Sequence, residues 1–184
     1  VEGRGGQLKS EPTRVVFRQS GRAEVIYLPP PPEESEFMLG ELFERYLLAQ
    51  SQGAAHPVLL VAALALDLLS IHPFADGNGR TTRPITNSEL MFRGYGVVRY
   101  VSLEQRVFES KHTYYASLFR SQRGWVEGDG DHDIWPWVRY FVSVLAQAYE
   151  DFERLAVASS SLDGLNKQAQ VEKWATEQAG DEFT

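Results

Sequence analysis

The sequence predicts an all-α fold, a helical bundle carrying one small β-hairpin. Two observations support this. Apolar residues recur at three- and four-residue spacing through most of the chain, and β-prone runs are confined to one short stretch near its start. No segment repeats at a fixed period, which sets aside a solenoid.

The elements follow in order. Residues 1–13 are polar and Gly-rich and read as a flexible N-terminal segment. Arg14–Phe17 and Glu24–Leu28 are β-prone runs around a Ser20-Gly21 turn, so a hairpin is expected over about 14–28. Four prolines at 29–32 then stiffen the chain in extended form. Phe37, Leu39, Leu42, Phe43, Tyr46 and Leu47 mark an amphipathic helix over 34–49. Pro57 suits the first position of a helix over 57–70, which is apolar almost all round and therefore central. A helix over 79–93 follows, with Asn78 as its cap, Gly94 at its end and Pro84 distorting its first turns. Ser102-Leu-Glu-Gln105 has the form of a capping box for a short helix. Further helices are expected at about 108–122 and, after an acidic Gly-rich loop at 127–133, along the run from Ile134 to Val157. Trp135, Trp137, Tyr140 and Phe141 read as core. Residues 158–184 read as a Ser-rich linker and a weakly amphipathic last helix at about 165–177.

Totals narrow the function. The chain has 184 residues, 43% hydrophobic and 23% charged, which is one globular domain or one domain with a tail. A net charge of −7 argues against nucleic acid as a partner. Without cysteine there is neither a disulfide nor a thiolate metal site, and a reducing, cytoplasmic setting is expected. The longest apolar stretch, Val58–Leu69, is broken by Asp67 and too short to span a bilayer, so no membrane partner is expected. The start at Val rather than Met fits a trimmed piece.

The chemistry concentrates in Ile71–Arg83, "IHPFADGNGRTTR". Arg80 and Arg83 sit in the first turns of a helix, where the partial positive charge of the terminus disfavours cations. An anion in front of them removes that conflict. Gly77 and Gly79 let such an anion approach the backbone N–H groups, an amide cup at a helix start. A carboxylate at Asp76 would repel phosphates unless a metal lay between, and Mg²⁺ takes one or two carboxylates with phosphate oxygens and water. His72, upstream, titrates near neutrality and can accept a proton from a hydroxyl. Taken singly, His72 has a structural reading, Asp76–Gly79 is an ordinary turn and the arginines are surface residues. Together they describe phosphoryl or nucleotidyl transfer. The P-loop pattern is absent, and the four histidines lack zinc-ligand spacing.

This stretch resembles the signature of the Fic family, His-x-Phe-x-Asp/Glu-Gly-Asn-Gly-Arg-x-x-Arg, at every specified position. "AEVIYLPPPPEESEFM" is similar to the flap hairpin and the Pro-rich entry to the first core helix, and "YYASL" at 114–118 to a segment on the adenine side of the pocket. About 14–157 is Fic-like. The resemblance implies an all-α bundle with a β-hairpin flap that transfers AMP from ATP to a Ser, Thr or Tyr hydroxyl of a target protein. It implies His72 as general base, Phe74 as loop anchor, Asp76 on Mg²⁺ and Asn78 at the α-phosphate. Gly77 and Gly79 would form the amide cup, with Arg80 at the β-phosphate region and Arg83 at the γ-phosphate. Tyr115 and Gln122 would line the adenine pocket. The flap, Arg22, Ala23, Glu24, Val25, Ile26, Tyr27 and Leu28, would hold the target by strand addition. Related Doc kinases carry a basic residue where this chain has Gly79, so AMP transfer is favoured over γ-phosphate transfer. The alternatives are a regulator that removes AMP and a nucleotide-binding module with little transferase activity.

Pro84 departs from the family's usual Leu. Many members are inhibited by a Ser/Thr-x-x-x-Glu-Gly/Asn helix whose Glu pairs with the second arginine. Glu2-Gly3 has only the ending, and Ser159-x-x-x-Asp163-Gly164 has Asp for Glu and reads as linker. An inhibitory segment is expected on upstream chain, on a partner protein, or not at all, and a homodimer is conceivable.

Overall fold

The computed structural model describes residues 7–19, 21–126 and 132–160. The chain divides into two compact units, 1–148 and 149–184. The first holds every element but the end of the last helix. In the second, the described turns over 149–160 carry an ion pair between Arg154 and Asp151. The expected helix at 165–177, the Asp163-Gly164 and Glu2-Gly3 pairs and most of the acidic loop lie outside the described residues.

Strands β1 (Val15–Gln19) and β2 (Arg22–Tyr27) pair antiparallel, with Gly21 at φ 77 in the turn and a bulge near Val15. The left-handed φ explains the glycine. The prolines run extended into a short 3-10 turn, Pro32–Glu34, and then α1 (Ser35–Ser51). Helix α2 (Pro57–Ile71) starts on its proline and is the centre of the unit. Ala62 is 0% exposed and Leu66 1%. Full burial of a side chain such as Leu66 is worth about 2–3 kcal/mol, which is why an apolar-all-round sequence takes the middle. α1 packs against α2, as does α3 (Asn78–Phe92), and α5 (Lys111–Gln122) approaches it as well.

Helix α3 spans Asn78–Phe92 and ends at Gly94, φ 89. It runs through Pro84, which lacks only the one N–H. The expected Asn78 cap is corrected: Gly77 holds the N-cap position, and the Asn78 side chain turns back to Phe74. Ser102 does cap α4 (Leu103–Glu109), accepting from Gln105 N–H at 3.2 Å, but Gln105 reaches forward to Glu109 rather than back to Ser102.

The expected helix at 108–122 is divided. Ser110, at φ −101 and ψ 25, separates α4 from α5 (Lys111–Gln122). Its hydroxyl donates to the Arg106 carbonyl and meets the Tyr140 hydroxyl, which satisfies the end of α4. Helix α6 (Trp135–Ser160) is pinned to α2 by Trp137 Nε1 donating to Ala62 O at 2.8 Å. Trp137, Tyr140 and Phe141 are buried as expected. Trp135 is instead 52% exposed. It starts the helix, its N–H bonded to Asp133, and two residues turn it away from Trp137's face.

Candidate functional site

Where α2 ends, the chain needs a sharp turn. His72 makes it in the left-handed region, φ 49 and ψ 56, alone among the described non-glycine residues in having positive φ. Such a conformation costs an L-residue about 1–2 kcal/mol and persists only where neighbours enforce it. The enforcement is visible at the helix end. His72 N–H donates to Leu68 O, Tyr27 Oη to Ser70 O at 3.0 Å, and Lys9 Nζ to Ile71 O at 3.0 Å. Leu69 O accepts from Gln122 Nε2 and contacts His72 Nδ1, both at 3.3 Å. The four carbonyls that an α-helix leaves orphaned are all occupied.

The Leu69 contact fixes the imidazole chemistry. A carbonyl can only accept, so the hydrogen bond exists when Nδ1 carries the proton and Nε2 keeps its lone pair. Burial lowers the His72 pKa from its ordinary 6.5. The nearby Lys9 cation lowers it further, while the Leu69 hydrogen bond and the Asp76 carboxylate oppose the shift. The imidazole is thereby neutral at pH 7 and able to accept a proton.

The loop after His72 is closed by Asn78. Its Oδ1 accepts from Phe74 N–H at 2.9 Å and its Nδ2 donates to Phe74 O at 2.7 Å. Gly77 then turns at φ 85 into α3. The first N–H groups of α3 have no intrahelical acceptor, and a helix start of this kind attracts anions. Gly79 is tight for a second reason: a Cβ there would stand 3.0 Å from Arg83 Nη1.

An open cleft of about 540 Å³ lies beside this loop, a volume in the range of small-ligand sites. His72, Gly79, Arg83, Glu104, Tyr115 and Gln122 are in its wall. So the candidate base His72, one arginine, one glycine of the expected cup and both adenine-side candidates come together. Gly77, Asn78, Asp76 and Arg80 lie outside that wall. Arg80 donates to Asp76 Oδ2 at 2.8 Å, and Asp76 Oδ1 accepts from Gly77 N–H at 2.7 Å. Both side chains are exposed, at 72% and 90%. The two arginines thus do not line one cavity, as a single anion in front of both would require: Arg80 pairs with Asp76 one helical turn back, whereas Arg83 lines the cleft and meets Glu104 of α4.

Among the described residues no group of three or more His, Asp or Glu side chains could hold a metal alone. Asp76 is a single exposed carboxylate. That fits Mg²⁺ only in the manner that ion commonly uses, with phosphate oxygens and waters completing the shell.

Tyr115 packs on Tyr114 at 5.1 Å and on Phe17 of β1 at 5.4 Å between ring centroids. Tyr114, half-buried, packs against Trp137 and Tyr140, and the desolvation of its hydroxyl raises its pKa. Gln122 is 2% exposed, and its Oε1 has no partner among the described residues. It also belongs to a second groove under the flap, about 740 Å³, with Val25, Leu28 and Phe119. Val25 and Leu28 are 46% and 64% exposed. Tyr27, between them, is buried and reaches the helix end at Ser70.

Two participants escaped the sequence. Glu104 faces Arg83, with Oε1 3.2 Å from Nε. In the sequence it is merely an acid in the first turn of a helix. Lys9, within the segment expected to be flexible, is 4% exposed. No local pattern flags a lysine that bonds a carbonyl 62 residues away.

With the geometry in place, comparison with known proteins is specific. The profile of the Fic/DOC family matches residues 2–90. The chain is 33% identical over 116 residues to a protein from Nematostella vectensis named protein adenylyltransferase Fic, covering 62% of this chain and 23% of that protein. It is 36% identical over 114 residues to a protein of the same name from Drosophila melanogaster, covering 62% and 20%. The chain therefore spans about a fifth of the length of these relatives. Among solved structures, a Fic domain containing signaling protein from Bacteroides thetaiotaomicron superposes with a TM-score of 0.61 at 28% identity, over 78% of this chain and 52% of that one. A Fic family protein from Desulfovibrio desulfuricans matches with a TM-score of 0.60 at 21% identity, over 89% and 43%, and bears on the fold alone.

Proposed function

We propose that the chain is a Fic/DOC-type protein adenylyltransferase, moving AMP from ATP to a hydroxyl side chain of a target protein. The observation that carries the proposal is the shared cleft: a neutral His72 and the guanidinium of Arg83 line one volume beside a helix start built of Gly77 and Gly79.

The chemistry follows from the donors and acceptors. A target Ser, Thr or Tyr oxygen attacks the α-phosphorus of ATP in line. The new O–P bond forms as the bond to the bridging oxygen of the β-phosphate breaks, and pyrophosphate leaves. His72 Nε2 takes the hydroxyl proton, held in that role by the Nδ1–H contact to Leu69 O. The amides at the start of α3 and the Arg83 guanidinium attract the phosphates, whose charge grows on the leaving group. Mg²⁺, when bound with ATP, would be held by Asp76 and supply charge neutralisation at the phosphates. Tyr115 and Gln122 form the adenine side. The hydroxyl arrives from the flap, where β2 pairs with β1 along one edge and can accept an added strand along the other. The shared position of Gln122 between cleft and flap groove supports this placement.

The test is incubation with isotopically labelled ATP and candidate proteins, followed by mass spectrometry for an added AMP. AMP should appear on a protein hydroxyl and vanish with His72→Ala. Transfer that survives His72→Ala would sink the assigned base. ATP binding without transfer would favour a nucleotide-binding module, and AMP release from a modified protein would favour the reverse reaction.

A further inference from the structure

We propose that Lys9 is a positioning residue for the His72 base, holding both flanks of the left-handed turn that carries it. The inference rests on the role of His72 given above.

The geometry is two-sided. Lys9 Nζ donates to Ile71 O, the carbonyl before His72, at 3.0 Å. Lys9 N–H donates to Pro73 O, the carbonyl after it, at 2.8 Å. One residue, 4% exposed, therefore fixes the two peptide units flanking a strained conformation. A lysine is an expensive choice for a mere spacer. Burial lowers its pKa, and no carboxylate among the described residues lies within 4 Å of it. What offsets that cost is its place at the C-terminus of α2, where the dipole favours a cation. A cation there also acts on the neighbouring imidazole. The charged groups facing His72 are Lys9, which disfavours the imidazolium, and Asp76, which favours it, with Arg83 in the wall of the same cleft. Lys9 thus sets both where the imidazole stands and which proton state it holds.

The other capping contacts do not share this property. Tyr27 and Gln122 hold Ser70 O and Leu69 O, one or more residues earlier, and both are neutral donors.

Lys9→Met and Lys9→Arg in the full chain test this. Lys9→Met should lower kcat for AMP transfer by about tenfold to a hundredfold, the scale of a small misplacement of a reacting group, with KM for ATP within about twofold because the phosphate site is untouched. Its His72 ring, followed by NMR titration and assigned against His72→Gln, should titrate at higher pH than in the wild type. The acidic limb of the rate profile should move with it. Lys9→Arg should restore both. A merely structural lysine would lower thermal stability and leave the His72 titration where it was. A folded Lys9→Met with wild-type kcat, or with an unmoved His72 titration, overturns the proposal. Should Lys9→Met fail to fold, Lys9→Gln keeps a donor for Ile71 O without the charge: an upward His72 shift supports the proposal and an unmoved one overturns it. If the wild-type chain transfers no AMP, the proposed function fails, while the ring titration still decides on Lys9.

Discussion

Arg83 and Glu104 meet at 3.2 Å across 21 residues of sequence, in the wall of the cleft that also holds His72. The guanidinium assigned to the triphosphate is thus engaged by a carboxylate of this chain. The pair is a weak latch. The side chains are 34% and 56% exposed, and such pairs are worth about 0.2–1 kcal/mol. Glu104→Gln should therefore lower Kd for ATP by about 1.4- to fivefold. Titration with a non-hydrolysable ATP analogue reads this directly. An unchanged or weaker affinity would show that Glu104 does not compete with phosphate. Arg83→Ala should go the other way, losing on the order of 10³ in kcat/KM.

The His72 environment predicts a pH dependence of fixed sign. Its folded pKa lies below the ordinary 6.5, chiefly through burial. As the proposed base His72 would work when neutral, so kcat/KM should be flat above neutrality and fall only on an acidic limb below 6.5. Stability is linked in the same direction. The unfolded chain takes up this proton first, so stability is complete above the unfolded pKa and declines as pH falls through the folded one. Rate profiles and denaturation at several pH values should show both limbs in the wild type, and His72→Gln should lack the stability limb. An acidic limb at or above the ordinary value would contradict the buried setting.

How much of this was legible in the sequence differs by element. The apolar run of α2 and the cadence of α1 and α6 reported their own burial, because helical periodicity is a local property. Ile71–Arg83 announced the loop because its glycines, base and arginines are contiguous. What failed was long-range. Glu104 and Lys9 act on residues 21 and 62 positions away, and nothing in their own neighbourhoods says so. Asn78 failed differently: a polar residue at a helix start suits a cap, but with Gly77 in the left-handed region its amide reaches Phe74 instead. Hydrophobicity alone places Trp135 in the core, whereas its position on the first turn of α6 decides its exposure. One anion in front of both Arg80 and Arg83 is what their shared helix start suggests, yet Asp76 lies within reach of Arg80.

The two loop glycines should fail in distinguishable ways. At Gly77 the backbone has φ 85, and an added Cβ has only the flexible Arg80 side chain near it, at 3.5 Å. Gly77→Ala should cost about 1–2 kcal/mol of stability through strain. At Gly79 a Cβ would meet Arg83 Nη1 at 3.0 Å. That guanidinium is the end of a flexible side chain and can move, so Gly79→Ala should lose little stability. It should instead lose activity and ATP affinity, since Arg83 is displaced. Paired melting curves and ATP titrations separate the two. Equal loss of stability in both variants would contradict the assignment.

Asn78 supplies the last contrast. Its amide closes the loop with one accepted and one donated bond to the same residue, Phe74. It is 3% exposed, so a lost partner is not replaced by water without cost. Asn78→Ala should remove both bonds and leave two backbone groups unsatisfied, a loss of about 1–3 kcal/mol. Asn78→Asp is the sharper variant. It keeps the acceptor for Phe74 N–H but turns a carboxylate oxygen toward Phe74 O, where a donor stood. It should therefore be at least as destabilising as Asn78→Ala above the carboxylate range, and recover when acidified until the side chain is protonated and can donate again. Denaturant melts of the two variants at neutral and mildly acidic pH check this. The wild type loses stability on acidification through His72, so the recovery must be read as the difference between Asn78→Asp and wild type at each pH. If Asn78→Asp matches the wild type at neutral pH, the amide does not close the loop, and the shape of the phosphate cup must be set by Gly77 and Gly79 alone.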